Sequence, residues 1–351
     1  MKKDTRTTAA SDQNILHDLA CYIDTTRKAL GGCPTRVVVS RKTEILYESY
    51  IPANEPDHPF GPINERALWP LFSATKSYIA GLLLSLATDG ILDLDAPVAD
   101  HLPEFTTAGD GPCDRRNITV RHLASHTSGA ALPEEARPSF DTPPDLNQVR
   151  IDTSPGQVFL YSGLGMHILE RTIEAATGQD LFQALKTRIL DPLGLDNTCY
   201  VYQYDPQRTI LPFQTESDTD LAQNFSFAIK GLRAHFGLYS TARDFNRYGQ
   251  LWLSDGVFEG HRYFTPELKQ QAWTHHSTRP SDNGRYGLLW WLFEGEGGYV
   301  ISGADAKATA VVPETDVVIS VLRLPIKPTP GPYSFYEDKK QLVLFGQQLG
   351  N

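Results

Sequence analysis

The stretch from Leu71 to Lys76 reads LFSATK, and it runs directly into the apolar segment SYIAGLLLSLA of residues 77–87. Apolar side chains recur in this segment at helical spacing, and Gly90 is suited to end the helix. Residues three positions apart lie on one face of a helix. The sequence therefore predicts that Ser73 and Lys76 meet at the first turn of a buried helix.

The start of a helix is a favourable position for Ser73 to act as a nucleophile. A helix N-terminus carries partial positive charge and free backbone N–H groups, which favour an alkoxide-like serine and a developing oxyanion. A lysine in a mostly apolar pocket loses solvation, so its neutral form can accept the serine proton. On its own, however, the S-x-x-K pattern more often reflects an N-cap serine followed by a solvated lysine, so the surrounding sequence has to decide.

The surrounding segments resemble, in order and spacing, the serine β-lactamase and penicillin-binding-protein superfamily. The class C-like branch is the most similar, and it also contains carboxylesterases, D-aminopeptidases and hydrolases of short nylon oligomers. The resemblance extends over about residues 68–322 and is carried by residues 72–105, 118–129, 154–179, 190–198, 237–253 and 286–292. It implies that Ser73 and Lys76 are catalytic.

The resemblance also assigns a second motif, Y-x-N, to Tyr161-Ser162-Gly163. It implies that Tyr161 shares the proton with Lys76, as base for the nucleophile or as acid for the leaving group. A phenol with a pKa near ~10 needs nearby cationic charge to release its proton at neutral pH. Gly163 departs from the family pattern, because the usual asparagine contacts the substrate amide and the catalytic lysine. We therefore expect little β-lactam turnover.

The third motif, usually K-T-G or H-x-G, aligns with Ile301-Ser302-Gly303. The family's lysine helps to hold a substrate carboxylate, which Ile301 cannot do, so an uncharged or differently oriented acyl group is expected. The resemblance places the oxyanion hole at the backbone N–H groups of Ser73 and Ala304, with Gly303 allowing close approach and Ser302 adding a hydrogen bond. The alternative for Gly303 is a strand-edge glycine in a bulge.

The sequence offers weaker evidence for other catalytic or pocket-lining residues. His126 and Ser128 could form a Ser-His pair, but this segment matches a helix-ending turn of the family and the sequence contains no G-x-S-x-G elbow. We therefore predict that His126 is not a catalytic base. One histidine and several aromatic residues could line the pocket or equally belong to the core: His235, Trp69, Tyr78, Trp290, Trp291 and Tyr299.

The order of predicted elements indicates an α+β fold of the β-lactamase/transpeptidase type, with one antiparallel sheet flanked by N- and C-terminal helices and a mainly helical insert. Helices are predicted at residues 12–30, 73–90, 120–125, 166–177, 181–190, 245–253 and 336–349, and strands at 36–40, 44–50, 286–293, 299–302, 309–312 and 317–322. We predict one unit over residues 1–351. Its α/β part covers about 1–105 and 213–351, and its helical part covers about 106–212.

Composition limits the classes of partner. The chain has 32 basic and 42 acidic residues, a formal charge of -10, and no basic run, so we expect no nucleic-acid partner. The N-terminus lacks a secretory apolar region and no segment approaches the ~20 apolar residues of a membrane span, so we expect a cytoplasmic protein. The four cysteines are scattered, and zinc, P-loop and G-x-G-x-x-G motifs are absent from the sequence. No cofactor or metal is expected.

Together these observations predict a serine hydrolase that cleaves an ester or amide bond of a small molecule through a Ser73 acyl-enzyme, most simply a carboxylesterase. An acyltransferase that uses the same acyl-enzyme is one alternative. A penicillin-binding-like module that binds its ligand without turnover is another. The oligomeric state and the identity of the substrate are left open by the sequence.

Overall fold

The computed structural model of the protein describes residues 5–53, 67–134, 143–200, 233–278, 285–304, 306–325 and 334–350, with side chains from Ser11 onward. Within these ranges the helices are α1 (Thr5–Ala29), α2 (Thr75–Thr88), α3 (Val120–Ala124), α4 (Gly163–Thr177), α5 (Leu181–Leu185), α6 (Ala242–Leu253), α7 (Pro266–Ala272) and α8 (Phe335–Gln348). The strands are β1 (Thr35–Arg41), β2 (Glu44–Ile51), β3 (Trp69–Pro70), β4 (Ala130–Ala131), β5 (Arg150–Ile151), β6 (Cys199–Tyr200), β7 (Leu238–Ser240), β8 (Val257–Phe258), β9 (His261–Arg262), β10 (Arg285–Tyr286), β11 (Trp291–Phe293), β12 (Gly298–Gly303), β13 (Lys307–Val312) and β14 (Val317–Arg323).

The main sheet has seven antiparallel strands in the order β10-β11-β12-β13-β14-β1-β2. The N-terminal hairpin joins the C-terminal strands through the pairing of β1 with β14, in which Thr35 faces Arg323 and Arg41 faces Val317. The expected α+β fold, with one sheet assembled from both ends of the sequence, is therefore confirmed. Strands β10, β11 and β12 form the end of the sheet that lies farthest from the N-terminal hairpin.

The sheet is covered on both faces, as the dense apolar sequence of its central strands requires. On one face α1 and α8 bury an apolar cluster that includes Leu19, Val39, Ile319 and Leu342. On the other face α6 packs across β13 and β14. The apolar cluster on that side continues into α2, α4 and α5. Burial of one such aliphatic side chain contributes about 1.5–3 kcal/mol, so these two layers fix the sheet and helix α2.

Helix α2 is the central helix of this second layer, and its side chains from Thr75 to Leu86 are buried. A helix that is apolar all round is typical of a buried position. The predicted start at Ser73 is shifted by two residues, because Phe72–Ala74 form a 3-10 turn before α2 begins. Phe72 has a φ of +49°, so the chain bends sharply just before Ser73.

Several boundaries differ from the sequence prediction. The single strand expected at residues 286–293 is two strands, β10 and β11, because a turn with Leu289 at φ +61° separates them. The predicted helix at 181–190 continues beyond α5 as one π-helical turn, Lys186–Leu190. Helix α7 was not predicted, since its sequence PELKQQA is short and mostly polar. The division into an α/β part and a helical part stays a prediction, and its boundary at residues 212 and 213 lies outside the described residues.

Candidate active site

The structure brings Ser73 and Lys76 together as the sequence predicts. The Lys76 amine donates a hydrogen bond to Ser73 Oγ at 3.2 Å and a second one to the main-chain carbonyl oxygen of His235 at 2.7 Å. Ser73 is half-buried, whereas Lys76 is 1% exposed. The lysine is therefore held beside the serine from two sides, and the serine hydroxyl remains accessible.

The electrostatic setting of Lys76 favours its neutral form. No carboxylate forms an ion pair with this amine in the part of the chain that the structure describes. Burial lowers the pKa of Lys76 well below its ordinary value of 10.5, because the charged form loses solvation without gaining a counter-ion. A neutral amine at hydrogen-bond distance from a hydroxyl can accept its proton.

Tyr161 also lies next to the Ser73 hydroxyl, with which its side chain forms a hydrogen bond. It precedes helix α4, whose N-cap Ser162 accepts a hydrogen bond from the backbone N–H of Gly165 at 2.9 Å. The Lys76 amine is 4.8 Å from the centre of the Tyr161 ring. Although Tyr161 is 39% exposed, the surrounding protein raises its pKa to about 12, and a hydrogen bond with Ser73 lowers the pKa to a smaller extent. The phenol is therefore protonated at neutral pH.

His126 holds the segment that carries Tyr161. Its main-chain carbonyl oxygen accepts from the N–H of Leu160 at 2.8 Å, and its Nδ1 accepts from the N–H of Ser162 at 3.3 Å. The imidazole is 2% exposed and its ring centre is 4.5 Å from that of Tyr161. Burial, followed by the charges of Lys76 and His235, lowers the pKa of His126 well below 6.5. A hydrogen bond between His126 and Ser128 is not formed among the described residues, in agreement with the rejection of a Ser-His pair.

An aromatic cluster lies next to Tyr161. Trp291 is nearly parallel to it, with ring centres 6.3 Å apart, and Tyr286 contacts both rings at 6.2 Å and 4.9 Å. Phe159 completes the cluster at 5.1 Å from Tyr286. Sequence analysis pointed to Trp291 but missed Phe159 and Tyr286, because nothing local distinguishes them from ordinary core residues.

The other aromatic candidates belong to the core. Trp69, Tyr78 and Trp290 are at most 1% exposed, so they do not line an open cleft. Tyr299 stacks on Trp273, with ring centres 3.8 Å apart. Adjacent tryptophans 290 and 291 thus have different environments, one buried and one beside Tyr161.

Gly303 ends strand β12 directly against the turn that carries Ser73. A Cβ atom at Gly303 would lie 2.1 Å from the carbonyl oxygen of Leu71 and 3.3 Å from the nitrogen of Ala74. Only glycine permits this backbone approach. The exposed residue Ala304 follows immediately, which brings its backbone to the edge of the site.

The remaining two residues of the third motif, Ile301 and Ser302, lie on opposite faces of β12. The side chain of Ile301 is fully buried in the apolar core, so it does not reach the cleft surface. Ser302 lies on the opposite face of the strand from Gly303, because side chains alternate along a strand. In this arrangement Ile301 provides no cation for a substrate carboxylate, and the hydrogen bond expected from Ser302 stays a prediction.

Gly163 begins helix α4 in contact with His235. A Cβ atom at Gly163 would lie 2.6 Å from Cε1 and 2.7 Å from Nδ1 of the His235 imidazole. The segment before this histidine is bound to α4, since Arg233 forms an ion pair with Glu170 at 3.0 Å and the N–H of Ala234 donates to the same carboxylate at 3.0 Å. His235 was only one of several pocket candidates in the sequence.

Among the described residues, no group of three or more histidine, cysteine, aspartate or glutamate side chains is arranged to hold a metal ion. Among the same residues, no helix is both long and apolar enough to cross a bilayer. All four cysteines are free thiols.

Comparison with known proteins gives consistent similarities. The model of the beta-lactamase family matches residues 28–323. Esterase EstB from Burkholderia gladioli is 33% identical in an alignment 197 residues long; the alignment covers 50% of this chain and 49% of EstB, about half of that relative's length. Penicillin-binding protein 4 from Amycolatopsis lactamdurans is 30% identical over 71% of this chain and 70% of the relative.

The fold also matches solved structures. The structure described as EstCE1, a hydrolase with promiscuous acyltransferase activity, superposes with a TM-score of 0.70 over 97% of this chain and 99% of its own. Its sequence identity is 17%, so this similarity concerns the fold.

Proposed function

Because this chain belongs to the beta-lactamase family, whose members are serine hydrolases, we propose that it cleaves an ester or amide bond of a small molecule through an acyl-enzyme on Ser73, with carboxylesterase activity as the principal activity. The observation that carries this proposal is the 3.2 Å contact between Ser73 Oγ and the buried amine of Lys76. A buried lysine without a carboxylate partner among the described residues is suited to act as a base rather than as a structural cation.

The directions of the two pKa shifts support the following proton-transfer roles. The pKa of Lys76 is lowered, so its neutral amine accepts the proton of Ser73 as the oxygen attacks the carbonyl carbon. The pKa of Tyr161 is raised to about 12, so its phenol keeps its proton and donates it to the leaving group. The sequence allowed Tyr161 to act either as base for Ser73 or as acid for the leaving group. Its raised pKa supports the role of acid.

The proposed reaction has two steps. A bond forms from Ser73 Oγ to the carbonyl carbon, and the resulting oxyanion accepts hydrogen bonds from the backbone N–H groups of Ser73 and Ala304. The bond to the leaving group then breaks, Tyr161 protonates that group, and the proton held by Lys76 restores the phenol. Water hydrolyses the acyl-enzyme by the reverse sequence of proton transfers.

Two features support a carboxylic ester over a β-lactam as substrate. Ile301 is an apolar, buried residue, so the third motif offers no side-chain cation for a substrate carboxylate. Gly163 offers no side-chain amide. The similarity to esterase EstB supports the same choice.

Acyl transfer is a second candidate activity, and the aromatic cluster favours it. Phe159, Tyr286 and Trp291 pack around Tyr161, and an apolar wall next to the acyl-enzyme hinders water and admits an alcohol or amine acceptor. The solved hydrolase with promiscuous acyltransferase activity shares the fold. A binding module without turnover remains the alternative if Ser73 proves unreactive.

The test is reaction of the protein with a fluorophosphonate probe, followed by intact mass. We expect one adduct on the wild type and none on Ser73→Ala. A well-folded wild type without an adduct contradicts the proposal and favours the binding module.

A hydrolysis panel then defines the activity: p-nitrophenyl esters of graded chain length, a chromogenic cephalosporin and D-amino-acid amides. We expect hydrolysis of the short esters and little turnover of the cephalosporin. Rapid cephalosporin turnover contradicts the interpretation of Gly163 and Ile301. Adding an alcohol acceptor and analysing products by mass distinguishes transfer from hydrolysis.

A cytoplasmic location is part of the same proposal. Four free thiols in one chain are typical of a reducing compartment. Cell fractionation with an antibody against the chain tests this location.

A further inference from the structure

The imidazole of His235 lies in the space that a side chain at position 163 would need. A single carbon atom added at Gly163 would lie 2.6 Å from the imidazole, well inside van der Waals contact. Gly163 has no positive φ and lies in the first turn of α4, where alanine fits the backbone better than glycine. The glycine is therefore required by the histidine and not by the helix.

The imidazole of His235 borders the reactive groups. The main-chain carbonyl oxygen of the same residue binds the Lys76 amine at 2.7 Å, and Gly163 is two residues from Tyr161. The ring is only partly buried. The ring therefore lies beside the start of α4, two residues from Tyr161, and its own main chain binds the lysine next to Ser73.

Within the described ranges, the nitrogens of the His235 ring are available to hydrogen-bond a ligand. Its nitrogens form no hydrogen bond with other groups in the described ranges, in contrast to His126, whose Nδ1 accepts from Ser162. Burial, together with the charge of Lys76, lowers the pKa of His235 to about 3, so the ring is neutral at physiological pH. A neutral imidazole offers one N–H donor and one nitrogen acceptor.

The ring is also held in place. Arg233 pairs with Glu170, Glu174 and Asp180, and the N–H of Ala234 donates to Glu170. The segment before His235 is thereby bound to helix α4, which begins at Gly163. The distance between the imidazole and the start of α4 is set by these contacts and not by the substrate.

Building on the function proposed above, we propose that His235 is a substrate-binding residue that hydrogen-bonds a polar atom of the acyl group, and that Gly163 provides the space for its ring. The preferred acyl groups are then those with an amide or hydroxyl close to the scissile carbonyl, as in acylamino acids, over plain alkanoyl groups of equal length.

The test compares two esters with acyl chains of equal length, the p-nitrophenyl esters of N-acetylglycine and of pentanoic acid, under single-turnover conditions. His235→Phe keeps an aromatic ring at this position, slightly larger than imidazole, and removes both nitrogens. We expect the acylation rate with the N-acetylglycyl ester to fall about fivefold, the effect of one neutral hydrogen bond, and the rate with the pentanoyl ester to change less than about twofold. Equal losses on both esters, or no loss on either, overturn the proposal.

A double-mutant cycle tests the role of Gly163. We expect Gly163→Ala to lower the rate with the N-acetylglycyl ester in the wild type but to have no further effect in His235→Ala, because the overlapping atoms are then absent. Gly165→Ala is the matched control in the same helical turn, since its added Cβ would have no neighbour closer than 3.5 Å. Equal effects of Gly163→Ala in both backgrounds contradict the proposal.

Fluorophosphonate labelling of every variant separates the two proposals. Wild type that is not labelled contradicts the function proposed above. Wild type that is labelled but releases p-nitrophenolate from neither ester contradicts the carboxylesterase activity, whereas wild type that cleaves both esters without responding to His235→Phe contradicts only the role of His235.

Discussion

The side-chain amine of Lys76 donates a hydrogen bond to the main-chain carbonyl oxygen of His235, 159 residues further along the chain. A carbonyl oxygen accepts a hydrogen bond from an amine and from an ammonium alike. The contact therefore holds Lys76 next to Ser73 before and after it receives the serine proton. Because the acceptor is a main-chain atom, substitution of the His235 side chain leaves it in place.

The pH dependence of acylation follows from the burial of Lys76. The base must be neutral, so the rate constant for acylation rises as pH rises through the pKa of Lys76. That pKa is well below 10.5, so the rising limb of kcat/KM lies well below pH 10.5, where a solvated lysine would place it. Measurement of kcat/KM for a p-nitrophenyl ester between pH 5 and pH 10 checks this. A profile that is still rising steeply at pH 10 contradicts the assignment of Lys76 as base.

Lys76 is expected to lower the stability of the protein, and Lys76→Met to raise it. Methionine fills a similar volume and has no amine that must lose its proton and its solvation on folding, so we expect a gain of about 1–3 kcal/mol in the free energy of unfolding at pH 7, together with loss of activity. The folded-state pKa is below the unfolded value, so the unfolded chain binds the extra proton between these two values. Wild-type stability therefore falls as pH falls through that window.

Thermal melts at pH 7 and near pH 10 measure this difference between Lys76→Met and wild type, which should shrink toward the higher pH. Lys269→Met is the matched control. Lys269 is also buried, but it pairs with Asp255 and donates to the carbonyl oxygen of Trp252 at 3.1 Å. Its replacement should not stabilise the protein. A lower melting temperature for Lys76→Met at pH 7 contradicts the prediction.

The approach of Ser73 to Lys76 and the order of the elements could be predicted from local patterns, whereas the type of fold and the catalytic prediction needed the resemblance of the surrounding segments to a known superfamily. Helical periodicity places the two residues on one turn, and alternating apolar runs mark the strands. The contacts of His235 and His126 with the site were beyond reach, because they arise from chain segments that meet only in the folded protein. The sequence also does not tell which face of β12 lies toward Ser73, because both faces of this strand pack against apolar layers.

His126 is expected to position Tyr161 through its neighbours. His126→Ala removes the acceptor for the N–H of Ser162, and we expect kcat to fall roughly tenfold with little change in KM. His126→Asn should restore most of the activity, because its side-chain oxygen can accept the same hydrogen bond. Asparagine also tolerates the φ of +55° at this position. Steady-state kinetics of both variants check this, and equal losses in the two contradict a positioning role.

Tyr161→Phe should reveal the acid by its dependence on the leaving group. An alkoxide needs a proton as it departs, whereas p-nitrophenolate does not. We therefore expect a loss of about 10²-fold or more on an ethyl ester and less than about tenfold on the p-nitrophenyl ester of the same acid. Equal losses on the two esters would indicate that Tyr161 acts on Ser73 and not on the leaving group.

Gly303→Ala tests the close approach between β12 and the nucleophile turn. The added Cβ would lie 2.1 Å from the carbonyl oxygen of Leu71, a backbone atom that cannot move independently, so the strand must shift away from Ser73. The N–H of Ala304 then leaves its place in the proposed oxyanion hole. Loss of one such donor lowers kcat about 10²–10³-fold. Gly295→Ala is the control, because its added Cβ would have no neighbour within 4 Å. We expect Gly295→Ala to keep wild-type kcat. If a folded Gly303→Ala also keeps it, the oxyanion hole does not include Ala304.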